Sequence, residues 1–85
     1  MYYTYVLYST ELDRYYIGFT GEEILDRVQK HLANHSGFTG KAKDWQLVYK
    51  ETFKTKTEAM QRERQLKNWK NKQRIKELVE RNSIE

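Results

Sequence analysis

Glu63 stands where a helix would ordinarily keep an apolar residue. Ala59, Glu63 and Leu66 follow the i, i+4, i+7 spacing of an inward stripe, with Met60 beside them. A carboxylate in that stripe is costly unless a cation meets it. A partly buried ion pair would satisfy it, and so would a stripe rotated to bring the carboxylate to solvent. A third arrangement is a hard divalent cation, which takes one or two carboxylates and completes its shell with water and phosphate oxygens. One glutamate does not choose among the three.

Arg27 and His31 are four apart and therefore share a helix face. Arginine forks onto phosphate, and histidine donates to an oxyanion or takes a proton near neutral pH. An exposed arginine beside a rim histidine has the same spacing, so both readings stay open. His31 and His35 have the i, i+4 spacing of a zinc pair, but no third nitrogen or thiolate ligand is in view. His35, ahead of Ser36-Gly37, reads as the end of the helix.

The tyrosines alternate across faces. Tyr3, Tyr5 and Leu7 share one side of a strand pattern, and Tyr16 and Gly18 share one side of the next. A glycine inside a strand marks close approach by another backbone or a ligand, so Gly18 suggests an open floor beside the Tyr16 phenol. Tyr2, Tyr8 and Tyr15 read as packing or surface rings. Most strand tyrosines are structural, so alternation by itself assigns no role.

The elements that must position these groups are legible in outline. "YYTYVLYS" reads as a strand, "TELD" as a short polar connection and "RYYIGFT" as its hairpin partner. Thr20 and Glu23 have capping-box spacing, and Ile24, Leu25, Val28 and Leu32 follow at helical intervals, which predicts a helix from about Glu22 to Asn34. "NHSGFTGKAKD" is a loop and "WQLVYKETF" a third strand. Thr55 and Glu58 open a helix to about Trp69, and Asn71 caps a last one carrying Ile75, Leu78 and Val79 on one face. The order β-β-α-β-α-α predicts an α+β fold: a small three-stranded, mainly antiparallel sheet flanked by helices. At 85 residues the chain suits a single domain over 1–85 with a thin core.

Charge is unevenly placed. Residues 1–53 carry six Lys/Arg against seven Asp/Glu, whereas residues 54–85 carry ten against five, so the net +4 comes from the last third. That asymmetry suits a polyanion, although a solvated helix of mixed charge looks similar. Lys67 and Lys70 lie one turn beyond Glu63 and near its face, where they can continue a phosphate-binding surface. Lys72 belongs to the same basic region, and Lys41 and Lys43 in "GKAK" add a loop able to grip a backbone. No P-loop, helix-turn-helix signature or Ser-His-Asp set occurs. There is no cysteine, no apolar run near the ~20 residues of a membrane span and no signal-peptide order at the N-terminus, so a soluble cytoplasmic protein is expected.

Taken in order, these residues form a known pattern. The sequence resembles the GIY-YIG nuclease superfamily, in particular its small stand-alone bacterial members, and is similar to the N-terminal catalytic domain of the excision-repair nuclease UvrC. "YTY" (Tyr3 to Tyr5) stands at the first signature and keeps its last tyrosine; "YIG" (Tyr16 to Gly18) is the second signature intact. "RVQKH" (Arg27 to His31) matches the arginine followed four later by His or Tyr, and "EAMQRERQLKNW" (Glu58 to Trp69) matches the helix of the metal-binding glutamate, here Glu63.

The resemblance implies phosphodiester hydrolysis with one Mg²⁺ or Mn²⁺ on Glu63. It implies that Tyr16 deprotonates the attacking water with Tyr5 nearby, that Arg27 stabilises charge on the scissile phosphate, and that His31 orients or assists. A free phenol titrates near pH ~10, so only about one in ~1000 is ionised at pH 7. Tyr16 must then have a depressed pKa, or position a water that the metal acidifies, or yield the proton to His31. The expected function is an endonuclease acting on structured or damaged DNA in repair or recombination, with a protein partner able to supply specificity. A nucleic-acid-binding module on the same fold with little turnover is the alternative, and a docking domain for an acidic protein surface is a third reading.

Overall fold

The computed structural model describes residues 1–24 and 44–82. Within them the chain forms β1 (Tyr2–Ser9), β2 (Arg14–Thr20), β3 (Gln46–Phe53), α1 (Lys56–Trp69) and α2 (Lys72–Arg81). The expected helix at Glu22 to Asn34 lies outside the described residues apart from its first few, as does nearly all of the loop after it. The sheet is ordered β2-β1-β3, and both pairings are antiparallel. The α+β expectation holds for every element described.

Local chemistry explains the elements. β1 and β2 are rich in aromatic and branched residues, and the four residues between them turn the chain with Asp13 at φ 53, a left-handed conformation that Asp tolerates better than most. Ser9 and Asp44 fasten that turn to the start of β3: Ser9 Oγ donates to Asp44 Oδ1 at 2.6 Å, and the Glu11 amide donates to Asp44 Oδ2 at 2.8 Å. These two donors hold the Asp44 carboxyl below its ordinary range, the hydroxyl contributing most. Thr20 Oγ1 accepts from the Glu22 amide at 3.0 Å, since a threonine at the end of a strand can close a tight turn two residues on. Thr55 accepts from the Glu58 amide and Asn71 from the Arg74 amide, so the caps of α1 and α2 fall where the sequence places them.

Alternation divides the core between two faces. Tyr5 and Leu7 of β1 pack with Ile24 and Trp45 on one side of the sheet. Val6 packs on the other side with Leu66 of α1 and Ile75 of α2. Thr4 shares the helix-covered side and donates to the Ala59 carbonyl at 2.7 Å, which pins the first half of α1 over β1. β3 carries one extra residue at Val48, since Val6 pairs with Tyr49 but Leu7 pairs with Leu47. Trp69 joins the helices: the Arg74 guanidinium lies 4.2 Å from its ring centroid and that of Arg62 5.8 Å.

Two phenols outside the candidate site make stability depend on alkaline pH. The Tyr8 hydroxyl donates to Asp13 Oδ1 at 2.6 Å, and chiefly this bond pushes it up from 10.0 to about 12. Burial, followed by the bond to Glu51, does the same to Tyr49. An unfolded chain loses these protons near pH 10.0, whereas the fold keeps them to about 12. Their contribution is therefore complete below pH 10 and disappears as pH rises through that interval. Urea midpoints measured across it should fall more steeply for the native chain than for Tyr49→Phe.

Candidate active site

Gly18 organises the phenols. Register places it opposite Tyr5, and Leu7 opposite Tyr16, so both tyrosines project from one face at adjacent steps of the β1-β2 ladder. A Cβ built on Gly18 would lie 2.7 Å from Tyr5 Oη, 2.8 Å from its Cζ and 3.3 Å from Tyr16 Cε1. The floor expected to be open beside Tyr16 is thus filled by the Tyr5 ring, which is only 1% exposed. Tyr16 is half-buried, and Trp45 meets it edge-on with ring centroids 6.5 Å apart. Sequence reasoning gave Trp45 no place at the site. Its contact with Tyr16 is tertiary, and no spacing signal connects them.

Glu63 sits on the expected stripe. Ala59 and Leu66 on either side of it are buried, and its own side chain is 20% exposed. Neighbouring Arg62 reaches to Glu51 of β3, with Nε 3.0 Å from Oε2. Glu63 is turned from Arg62 by about 100° around the helix. Its carboxylate meets Lys67 Nζ at 3.2 Å, an i, i+4 pair whose lysine is half-exposed. The ion-pair reading of Glu63 is therefore realised within α1, without sealing the carboxylate from solvent.

Lys67 links Glu63 to a groove on the helix-facing side of β2. This groove of about 830 Å³ runs from Leu12 in the turn along β2, an edge strand of the sheet, to Ile17. Its other wall is the junction of α1 and α2, with Leu66, Lys67, Lys70 and Lys72. These three lysines, all expected to bind nucleic acid, thus line one concavity with Tyr15 and Ile17; Tyr16 borders it, but its ring packs on the opposite face with Tyr5. Lys72 Nζ is held by Asp13 Oδ2, and this bond, with that from Tyr8, keeps the Asp13 carboxyl below its ordinary range. Arg27, His31, Lys41 and Lys43 lie outside the described residues.

Comparison with family models decides the ancestry: the GIY-YIG catalytic domain matches residues 1–76. The chain belongs to the GIY-YIG family. Comparison with curated proteins and with solved structures gives no match. GIY-YIG domains are endonuclease domains, so this chain is of nuclease type and nucleic acid is its class of substrate. The match takes in both tyrosine signatures, the glutamate helix and the start of α2. Among the described residues no helix is long and apolar enough to cross a membrane.

Proposed function

We propose that this GIY-YIG protein is a divalent-metal-dependent endonuclease that hydrolyses phosphodiester bonds in structured or damaged DNA, within cytoplasmic repair or recombination. The observation supporting it is the grouping of Tyr5 and Tyr16 over Gly18 on one face of β2, whose other face borders a groove lined by Lys67, the ion-pair partner of Glu63. Among the described residues no three acidic or histidine side chains gather into a cage. The donor offered is a single carboxylate beside an open groove. That fits Mg²⁺ or Mn²⁺, which takes few protein ligands and fills its shell with water and substrate oxygens. When bound to Glu63 the cation supplies Lewis-acid stabilisation of the phosphoryl oxygens and acidifies water.

The chain's own residues divide the remaining work. Glu63 would hold the cation in place of Lys67, whose half-exposed ammonium would then meet a substrate phosphate. The Tyr16 phenol takes the proton of the attacking water or holds that water in line. Tyr5, locked behind it, limits how far Tyr16 can retreat. Arg27 stabilises the developing charge on the phosphate, and His31 orients the phosphate or manages the proton. Lys70, Lys72, Lys41 and Lys43 hold the flanking backbone.

The test is cleavage of plain, branched and damaged DNA, and of RNA, in Mg²⁺ or Mn²⁺, beside Glu63→Ala and Arg27→Ala. Cleavage surviving in both variants would belong to a contaminant. Salt-sensitive binding without products would leave the binding-module alternative. The groove lysines carry a separate expectation: the Lys67→Ala, Lys70→Ala double variant should flatten the slope of log K against log salt by about 0.9 for each phosphate that is no longer neutralised.

A further inference from the structure

The geometry points to an unpaired nucleotide as the occupant of the β2 groove, so that the substrate carries a single-stranded segment next to the scissile linkage. This rests on the nuclease reading and narrows it to a substrate class. A groove of about 830 Å³ has the capacity of a small-ligand pocket, roughly 300–1,000 Å³, which is nucleotide scale and not duplex scale.

Its lining has two kinds of surface. Leu12 of the turn and Tyr15 and Ile17 on the helix-facing side of β2 are half-buried apolar or aromatic side chains, whereas exposed Lys67 and Lys70 stand on the opposite wall. A duplex keeps its base faces stacked and presents phosphates and edges, which would leave the aromatic wall uncovered. An unpaired base covers that wall while its phosphates meet the lysines. The platform is preformed, because the Tyr15 ring is backed by Tyr8 at 4.7 Å between centroids. Asp13, the carboxylate of the strand wall, accepts from Lys72 and Tyr8, which offsets its repulsion of a phosphate.

Lys70 adds an independent sign. It caps α1 in the left-handed conformation, φ 48 and ψ 35, where glycine is the favoured residue. The chain thus keeps a cation on the groove wall at a position where its backbone is strained.

The experiment measures binding in EDTA, with no cleavage, to a blunt duplex and to the same duplex bearing a single-stranded tail. A 2-aminopurine is placed in the tail at the junction. The tailed duplex should bind about tenfold more tightly, the scale of one base stacked on an aromatic ring, and its 2-aminopurine should be quenched. Tyr15→Leu keeps apolar packing and should abolish both the quench and the preference. Lys70→Gly guards against misfolding, since it relieves the cap, and should weaken the tailed duplex more than the blunt one. Equal affinity for the two duplexes, or quenching unchanged in Tyr15→Leu, would overturn the assignment. So would displacement of the tail by oligoglutamate as readily as by oligothymidylate. The two readings fail differently: tail preference without cleavage in Mg²⁺ removes the nuclease reading, and cleavage without tail preference removes the nucleotide site.

Discussion

Glu63→Gln should lower cleavage by at least about 10²–10³-fold, the scale of losing one preorganised charge partner of the transition state, while barely changing stability. The separation follows from its surroundings. The only ion pair seen for Glu63 among the described residues is with a half-exposed lysine four residues on, and such a pair contributes about 0.3–0.5 kcal/mol. Its position between buried Ala59 and Leu66 would suit an apolar side chain. Glu63→Leu should therefore melt at or above the temperature of the native chain and cleave nothing. Thermal melts alongside the cleavage assay check both variants. A glutamate kept only for its ion pair would lose a little stability in Gln and leave activity intact in both variants. Gain of stability with loss of function is what a carboxylate held on an apolar stripe for ligation predicts.

How much of this is legible in the sequence depends on how local each cause is. The caps at Thr55 and Asn71 are made by residues three apart, so composition and spacing are enough to find them. The ends of β1 and β2 follow from alternation and a polar turn, and the opposition of Tyr15 and Tyr16 across the sheet follows with them. Tyr16 indeed reaches the core shared with Tyr5, while Tyr15 packs under the helices. The extra residue at Val48 is not legible, because it is set by how β3 meets β1 and leaves no mark in its own alternation. Nor is the groove. It exists because α1 ends in a lysine of left-handed conformation and α2 then starts across from β2, and lysine gives no warning of that geometry. The glycine of "YIG" does mark a close approach, but the approaching group is the phenol of its cross-strand partner Tyr5 and not a ligand.

Gly18→Ala is the second large effect, and it tests that close approach directly. One added methyl group would sit 2.7 and 2.8 Å from Oη and Cζ of Tyr5, well inside normal contact. The Tyr5 ring is rigid and fully packed, so relief requires movement of a core side chain or of the β1-β2 ladder. Overpacking of this kind costs about 1–3 kcal/mol. In a domain of this size each kcal/mol shifts Tm by about 4–8 °C, so the melt should fall clearly. Cleavage should fall further than stability explains, by about 10²-fold, because a displacement near ~1 Å is enough to misalign reacting groups and Tyr16 Cε1 is also contacted. Gly21→Ala is the control. Its Cβ would meet Tyr2 Cε2 at 2.9 Å, but Tyr2 is half-exposed at the first position of β1 and can swing away. Adding Tyr5→Phe to Gly18→Ala removes the hydroxyl clash and leaves the one at Cζ, so stability should recover only in part. A double-mutant cycle would show that coupling directly. Full additivity would mean that the two residues do not touch, and the arrangement that groups Tyr5 and Tyr16 over Gly18 would have to be abandoned.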